Sequence, residues 1–253
     1  MSNLFLSVVI PCYNEAANLK RNVLLEIYEY LRKQKYSWEV IVSDDGSTDE
    51  SREIVKSQLK KLPGFRLLEN PHGGKPSALS YGIKNSIGRY ILFTDMDQST
   101  PITELDKLIN KFSPKVGAVI GSRGLTRKDF PIYRKLGAIV FATIRRSLIL
   151  PKITDTQCGF KLFDATVLKQ SFPKLEFFKQ TEKVVGWKVT SYDAELLYIM
   201  EKHGFKIVEV PVFWNDKDTS VSKGGTLGRY FRESKEMFTQ IFRVRLNDWK
   251  GYY

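Results

Sequence analysis

The sequence predicts an α/β fold: a mainly parallel, twisted sheet with helices on both of its faces. Through the first half of the chain, short apolar runs rich in β-branched residues alternate with stretches that have helical spacing. Such alternation is typical of βαβ units, whose parallel strands are covered on both sides and are therefore apolar throughout. Polar clusters also follow several predicted strands, at the edge of the sheet where ligands bind in folds of this class.

These patterns predict the elements of the first half in order. The run Leu6–Ile10 predicts the first strand. Apolar residues that recur at every fourth position then indicate one face of a helix: Leu19, Val23, Ile27 and Leu31. Similar apolar runs predict four more strands: Trp38–Val42, Phe65–Leu68, Tyr90–Thr94 and Val116–Ile120. Between them, helices are predicted from an N-cap at Thr48 to about Lys61, and over Ser77–Ile87 and Leu105–Phe112.

After residue 122 the alternation of strands and helices becomes looser. Helices are predicted over Pro131–Leu150, Asp193–His203 and Gly228–Phe242, and strands within Asp155–Phe163 and over Phe205–Phe213. Neither an internal repeat nor a low-complexity linker divides the sequence. Residues 1–253 are therefore predicted to form one domain with two halves, about 1–122 and about 123–253.

The composition excludes a disordered or fibrous chain, because 42% of the 253 residues are hydrophobic and 13% are aromatic. Lys and Arg total 40 and Asp and Glu total 28, which gives a formal net charge of +12. This excess suits phosphate-rich partners such as nucleic acids, anionic lipid headgroups or nucleotides. Cys12 and Cys158 form no CxxC pair, so the sequence favours a reducing compartment over a disulfide framework or a zinc finger.

Neither a secretory leader nor a membrane span is predicted. Met1 is followed almost directly by the first predicted strand, without the basic and apolar regions of a signal peptide. The apolar stretch Leu136–Leu150 is interrupted by Arg145 and Arg146, and each arginine at the centre of a bilayer costs about 2.5–3.5 kcal/mol. The amphipathic stretch Ile132–Leu150 instead predicts docking on an anionic membrane or packing beneath a binding site.

Three polar clusters are expected to form one site at the carboxyl edge of the sheet: Pro11–Glu15, Asp44–Asp49 and Asp95–Thr100. Within the last cluster, the carboxylates of Asp95 and Asp97 are expected to converge. At about 4 Å and an effective dielectric constant of about 20 they would repel each other by about 4 kcal/mol. A hard divalent cation that holds a diphosphate would relieve this repulsion. The alternative is a pair of solvated turn aspartates.

The other polar groups each allow a functional and a structural explanation. Asp44 and Asp45 would accept hydrogen bonds from a nucleobase or a ribose, or would form an Asx turn before a helix. Lys75 follows two glycines and would meet phosphate, although the full P-loop spacing is lacking. Asp193 would stabilise a helix start or act as a general base. The two histidines, His72 and His203, are expected to be surface or loop residues.

Taken together, these segments resemble glycosyltransferase family 2. They occur in its order and spacing: VVIPCYNEAANL at 8–19, VSDDGSTDES at 42–51, GGKPSAL at 73–79 and TDMDQSTP at 94–101. Two later stretches, DTQCGFKLF at 155–163 and YDAELL with GFKIVEVPVFW in 192–214, resemble its polyprenyl-phosphate branch. That branch holds dolichyl-phosphate glucosyltransferases and mannose synthases. The resemblance covers about residues 5–245.

The resemblance implies a GT-A fold, with a nucleotide-sugar bound by the first half and an acceptor bound by the second. It implies an inverting transfer of a sugar to a lipid phosphate. The nucleoside pocket would be lined by Pro11, Tyr13, Glu15, Asp44 and Asp45, with Lys75 and Asp95 near the diphosphate. Mg²⁺ or Mn²⁺ would be held by Asp95, Asp97 and Gln98. The acceptor phosphate would be held by Arg123, Arg134 and Lys223, the last in a segment that resembles a loop closing over the donor.

Asp97, through the metal, and Asp193 are the implied catalytic residues. A phosphate acceptor is anionic at neutral pH and needs no base, so Asp193 would be required as a base only for a sugar hydroxyl. Gln98 directly follows Asp97, whereas mannose synthases usually place the glutamine one residue later, and this favours UDP-glucose over GDP-mannose. The protein would dock peripherally on the cytoplasmic face of a membrane, where each basic residue gains about 1 kcal/mol. Otherwise a partner would anchor it, or the acceptor would not be a lipid.

Four other functions are weighed against this one. The first alternative is a mannosyltransferase that uses GDP-mannose and polyprenyl phosphate. The second is an enzyme that transfers a sugar to a saccharide hydroxyl, with Asp193 as the base. A nucleotide-sugar sensor without catalysis is a third alternative. A nucleic-acid-binding protein would agree with the net charge. Carboxylates clustered at strand ends would repel phosphate unless a metal intervened, so no nucleic-acid partner is expected.

Overall fold

The computed structural model describes residues 4–124, 132–179, 192–217 and 227–253, and for 132–136, 138 and 227–234 only the backbone. One sheet holds the strands β1 Leu6–Cys12, β2 Trp38–Asp44, β3 Phe65–Glu69, β4 Tyr90–Phe93, β5 Val116–Ser122, β6 Lys161–Asp164 and β7 Lys206–Pro211. Their order across the sheet is β3-β2-β1-β4-β6-β5-β7. Every pairing is parallel except those of β6, which runs antiparallel between β4 and β5. The predicted mainly parallel sheet is confirmed.

Helices connect the strands and cover the sheet. They are α1 Ala16–Leu19, α2 Val23–Leu31, α3 Ser51–Leu59, α4 Lys75–Asn85, α5 Leu105–Ile109, α6 Ile132–Leu148, α7 Ala165–Ser171, α8 Tyr192–Lys202 and α9 Leu227–Trp249. Short 3₁₀ turns lie at Ile102–Glu104, Phe172–Lys174 and Glu176–Lys179. Strands from both halves of the chain thus share one sheet, although the division into two binding halves stays a prediction.

Buried apolar residues cover both faces of the sheet. On β1, Val8 and Ile10 belong to one buried cluster and Val9 to the other, because successive side chains of a strand point to opposite faces. Helix α4 packs very closely on β1: a Cβ atom at Gly82 would lie 2.3 Å from Val9 Cγ1, so only glycine fits there. This contact fixes the position of α4 and of Lys75, its first residue.

Two local predictions in the first half are wrong. The helix predicted from Leu19 to Leu31 is divided into α1 and α2, because Asn22 has a left-handed backbone with φ of 61°. Its apolar face is nevertheless fully buried. Thr48 does not cap α3, which begins at Ser51; the Thr48 backbone N–H instead donates to Asn14 Oδ1 at 2.8 Å. This bond ties the loop after β2 to the loop after β1.

The amphipathic stretch of the second half forms α6 and packs against α9. Phe141 on α6 and Phe238 on α9 contact edge to face, with ring centroids 5.6 Å apart. Phe141 and Ile149 belong to the buried core, whereas Ile139 and Val140 are exposed. In the part of the chain that the structure describes, no helix has the length and apolar character needed to cross a bilayer.

Candidate active site

The polar clusters that follow β1, β2 and β4 meet at one edge of the sheet. The Asp45 backbone N–H donates to the Cys12 carbonyl at 2.8 Å, which joins the first two clusters. Lys75 Nζ lies 2.6 Å from Asp95 Oδ1, which joins the third cluster to the start of α4. The structure therefore brings together the residues that the sequence predicts for a nucleotide-sugar site.

The candidate nucleoside pocket is built around Asp45, which is buried. Its two carboxylate oxygens accept hydrogen bonds from the backbone N–H groups of Gly73, at 2.9 Å, and Gly74, at 2.8 Å. His72 Nδ1 lies 2.9 Å from Asp45 Oδ2, and the His72 ring stacks on Tyr13 with centroids 4.5 Å apart. Burial raises the pKa of Asp45, although the Gly73 and Gly74 N–H groups and His72 oppose this. The pocket thus combines an aromatic face with a fixed carboxylate.

Two other predicted members of this pocket, Asp44 and Glu15, accept hydrogen bonds from neighbouring residues. Asp44 is fully buried; its Oδ2 accepts from two backbone N–H groups of the following turn and from Arg52 Nε at 2.6 Å. Glu15 accepts from Asn18 Nδ2 at 2.6 Å and directly precedes α1. Pro11 lies near the end of β1 and is half-buried. Asp44 therefore holds the turn that precedes α3. The predicted contact of Asp44 with a ligand is not possible in this arrangement, because the side chain has no exposed surface.

Lys75 and Asp95 form an ion pair that remains open to a ligand. Their side chains are 37% and 41% exposed. Burial lowers the pKa of Lys75, but the carboxylates of Asp95 and Asp193 outweigh this and raise it above its ordinary value. The lysine is therefore a permanent cation at the start of α4, where backbone N–H groups also favour an anion.

Beside this pair lies a polar cavity of about 240 Å³. It is lined by Thr94, Asp95, Asp97, Ser99, Thr100, Arg123, Gln157, Gly159, Phe160, Trp214 and Asp216. Gln98 is not part of the lining: it is buried with a left-handed backbone, and its Nε2 donates to Thr94 Oγ1 at 3.1 Å and to the Asp95 carbonyl at 2.9 Å. The structure thus places Asp95 and Asp97 at the cavity and leaves Gln98 outside its lining, with its Oε1 buried without a hydrogen-bond partner.

Asp95 and Asp97 fit a hard divalent cation. Among the described residues, no cluster of three His, Cys, Asp or Glu side chains could hold a metal, so a cation at Asp95 and Asp97 would need further ligands from substrate or water. Mg²⁺ is commonly bound by one or two carboxylates together with substrate phosphates and water. Gly159 makes room for this arrangement, since a Cβ atom there would lie only 1.8 Å from Asp95 Oδ2.

On the same cavity, Arg123 supplies a positive charge. Its Nε and Nη2 atoms donate to the two oxygens of Asp155 at 2.7 and 2.8 Å, and its guanidinium lies 5.8 Å from the centre of the Trp214 ring. Burial opposes ionisation of Asp155, but the bonds from Arg123 prevail and hold the pKa of that carboxyl well below its usual range. The other predicted acceptor residues, the Arg134 side chain and Lys223, lie outside the described residues.

Asp193 lies in the first turn of α8 and does not line the cavity. Its Oδ1 is 2.5 Å from Nζ of Lys161, a buried lysine that also donates to the Cys158 carbonyl. An ion pair of this kind ties up the carboxylate that a general base would use. The predicted catalytic role of Asp193 stays a prediction, and its observed contact is with β6.

Comparison with known proteins identifies the family. Residues 7–172 match the model described as "Glycosyl transferase family 2". The chain belongs to glycosyltransferase family 2. A dolichyl-phosphate beta-glucosyltransferase of Dictyostelium discoideum is 30% identical in an alignment of 269 positions, gaps included, that covers 99% of this chain and 78% of that protein. The predicted family and the predicted enzyme class, a glycosyltransferase, are both confirmed.

Solved structures share the fold of this family 2 glycosyltransferase. A mannosyltransferase from Pyrobaculum calidifontis, in complex with GDP-Man and Mn²⁺, has a TM-score of 0.64 at 21% identity; the match covers 98% of this chain and 65% of that one. Glucosyl-3-phosphoglycerate synthase from Mycobacterium tuberculosis, with Mn²⁺ and UDP-glucose, has a TM-score of 0.65 at 17% identity, over 96% and 79% of the two chains. The predicted GT-A fold is confirmed.

Sequence reasoning missed several residues of this family 2 site. His72 lies in the loop between β3 and α4, as the sequence predicts, but its contacts with Asp45 and Tyr13 were not predicted. Gly159 and Asp155 belong to the segment DTQCGFKLF, which carried the resemblance but received no role. A glycine directly after the buried Cys158 was the available signal, since glycine permits a close approach.

Proposed function

We propose that this glycosyltransferase moves glucose from UDP-glucose to the phosphate of dolichol or another polyprenol, with inversion at the anomeric carbon. One observation carries the proposal: the carboxylates of Asp95 and Asp97 and the guanidinium of Arg123 line the same cavity. A metal-bound diphosphate and a phosphate acceptor need such opposite charges side by side. The name of the Dictyostelium relative supports the choice of glucose and dolichyl phosphate.

The donor would bind along the edge of the sheet. Tyr13 would stack on the nucleobase beside the Gly73–Gly74 backbone that Asp45 holds in place, while Lys75 would lie beside the diphosphate. Asp95 and Asp97 would hold Mg²⁺ or Mn²⁺. When bound, the cation supplies Lewis-acid stabilisation of the charge that develops on the leaving nucleoside diphosphate. Lys75 adds a second, permanent positive charge on the same side.

The acceptor would enter from the side of Arg123. The guanidinium, which lies 5.8 Å from the centre of the Trp214 ring, would orient the phosphate through charge-assisted hydrogen bonds. A phosphate monoester already carries negative charge at neutral pH, so its oxygen attacks the anomeric carbon without losing a proton to the protein. Asp193 is engaged in an ion pair with Lys161, which agrees with a reaction that needs no general base.

The test is transfer by the purified full chain. With Mn²⁺ or Mg²⁺, labelled UDP-glucose and a short polyprenyl phosphate, we expect a labelled product that is extractable into organic solvent. The same polyprenol without its phosphate should give no product, and a chelator should abolish the reaction. A product formed only with GDP-mannose would overturn the proposed sugar, and a product formed only with a saccharide would overturn the proposed acceptor.

The Asp193→Asn variant serves as the control for a catalytic base. Loss of the charge that faces the buried Lys161 should lower the free energy of unfolding by about 3 kcal/mol, which thermal melting measures. Turnover with polyprenyl phosphate, measured below the melting transition, should change less than about fivefold. Loss of a general base would instead reduce turnover by about 10²- to 10⁴-fold in a folded protein.

We further propose that the enzyme docks on the cytoplasmic face of an anionic membrane, where its lipid acceptor lies. Three large apolar residues, Phe242, Leu246 and Trp249, are 51%, 49% and 71% exposed on α9. Their spacing of four and three places them on one face of the helix. The net charge of +12 favours anionic lipid headgroups. Both cysteines of the chain are free, which agrees with a reducing compartment.

Flotation with vesicles tests this docking. The full chain should float with vesicles that contain phosphatidylserine and stay behind with neutral ones. Leu246→Ser combined with Trp249→Ser should reduce binding at least tenfold, because each large apolar side chain contributes about 1.5–3 kcal/mol when it leaves water. Ile87→Ser is the matched control, since Ile87 is 56% exposed but lies before β4. Equal binding by both variants would refute the proposed surface.

A further inference from the structure

Arg145 on α6 is a buried charge that the proposed reaction does not use. It is 2% exposed, and its guanidinium donates to one loop through three hydrogen bonds. Nη1 donates to Thr156 Oγ1 at 2.9 Å, and Nη2 donates to the carbonyls of Ile153 and Thr154, both at 2.8 Å. We call residues 153–157 the Asp155 loop. The arginine holds the carbonyl side of this loop.

Glu209 on β7 holds the amide side of the same loop. Its Oε1 accepts from the Asp155 backbone N–H and its Oε2 accepts from that of Thr154, each at 2.7 Å. Both oxygens of one carboxylate thus bind consecutive peptide groups. The Asp155 loop is therefore held by a cation from one element and by an anion from another.

The loop in turn holds Arg123. Asp155 accepts from Nε and Nη2 of Arg123 and also from its backbone N–H, at 3.1 Å. The Gln157 backbone N–H donates to the same carboxylate at 3.0 Å, which fixes the rotamer of Asp155. A rotation of the loop would therefore carry the guanidinium of Arg123 away from the cavity that it lines.

A contribution to the stability of the fold does not explain why a charged residue is buried at position 145. The Nε atom of Arg145 is buried without a partner, and burial lowers the pKa of its guanidinium. Desolvation of a charge is costly, and an apolar side chain of similar volume often packs as well or better. What an apolar residue would not provide is a directional bond to three groups of the Asp155 loop.

We propose that Arg145 and Glu209 are positioning residues that hold the Asp155 loop, and through Asp155 the guanidinium of Arg123, in the orientation that binds the acceptor phosphate. The inference rests on the proposed function, because it takes the ligand of Arg123 to be that phosphate. It predicts that Arg145 and Glu209 affect acceptor binding and leave donor binding unchanged.

The experiment is a double-mutant cycle on equilibrium binding by calorimetry, with the full chain, Mn²⁺, UDP and a short polyprenyl phosphate. Arg123→Ala should weaken acceptor binding by about 10- to 100-fold, as expected for hydrogen bonds to a charged group. Glu209→Gln should weaken acceptor binding about tenfold or more. The NH₂ group of the new glutamine would face a backbone N–H of the Asp155 loop, and two donors cannot form a hydrogen bond. Binding of UDP should stay within twofold. Adding Glu209→Gln to Arg123→Ala should have no further effect on acceptor binding.

Glu39→Gln is the matched control for Glu209→Gln. Glu39 lies on β2, and its Oε1 also accepts from a backbone N–H, that of Ile87 at 2.9 Å. Its substitution should lower the melting temperature and leave acceptor binding unchanged. If Glu209→Gln does not fold, Arg145→Lys takes its place in the cycle, because lysine keeps the charge but cannot reach three groups.

The outcomes separate this inference from the proposed function. If Arg123→Ala weakens acceptor binding and the Glu209 and Arg145 variants do not, the inference is overturned and the proposed acceptor site stands. Additive effects in the cycle would also overturn it, because the residues would then act independently of Arg123. If Arg123→Ala leaves acceptor binding unchanged, both the inference and the proposed acceptor site are overturned.

Discussion

Asp97→Asn should reduce turnover about 10³-fold while the protein stays folded. The substitution removes one of the two carboxylates proposed to hold the metal and with it most of the affinity for a hard cation. Loss of one electrostatic contact to the leaving group typically costs about 10²- to 10³-fold in rate. The fold should tolerate the change, because Asn keeps an oxygen that accepts from the Ser99 backbone N–H, as Asp97 Oδ1 does at 2.8 Å.

Initial rates over a range of Mn²⁺ concentrations measure this effect, together with the melting temperature. Asp106→Asn is the control: Asp106 is an exposed aspartate of α5 whose Oδ1 accepts from Tyr30 at 2.8 Å. It should keep the full rate and its Mn²⁺ dependence. A rate for Asp97→Asn within tenfold of the parent, with unchanged Mn²⁺ dependence, would exclude Asp97 as a metal ligand.

Gly159→Ala should reduce turnover about 10²-fold, although it adds only one methyl group. The new Cβ atom would lie 1.8 Å from Oδ2 and 2.5 Å from Cγ of Asp95, so the carboxylate must move. The Lys75 to Asp95 contact of 2.6 Å would be lost with it. A displacement of about 1 Å at a reacting centre can cost about 10²-fold. The melting temperature should change little, because Asp95 is 41% exposed.

Turnover and melting temperature of Gly159→Ala are compared with those of Gly204→Ala. A Cβ atom at Gly204 meets nothing within 4 Å, but its φ of +83° strains an alanine. That control should lose about 1 kcal/mol of stability and no activity. Full activity of Gly159→Ala would mean that the Asp95 carboxylate does not occupy this position during the reaction.

The strand pattern and the gathering of acidic clusters could be predicted because both depend on local sequence. Apolar runs such as Leu6–Ile10 identify strands by themselves, and parallel strands bring their carboxyl ends to one edge. The break at Asn22 could not be predicted, since the apolar face continues through it with the same spacing. A single left-handed residue leaves that spacing almost unchanged.

The roles of individual side chains depended on contacts between residues distant in sequence. Asp44 and Asp45 are adjacent and identical in the sequence and both are buried, yet Asp44 accepts from Arg52 and Asp45 from the backbone beside His72. The partner of Asp193, Lys161, is 32 positions away. Spacing along the chain carries no signal for such pairs, so only the fold could separate a site residue from the residue that supports it.

The antiparallel strand β6 has a consequence for protein engineering. It belongs to the second half of the chain but pairs with β4 of the first half. Gly159, just before β6, lies so close to Asp95 that a Cβ atom would collide with the carboxylate. A chimaera that joined residues 1–122 to the remaining residues of a relative would take the glycine and the aspartate from different parents. We therefore expect that a cut at residue 122 would not transfer donor preference, and that β6 with its preceding turn would have to be transplanted along with the proposed donor-binding segment.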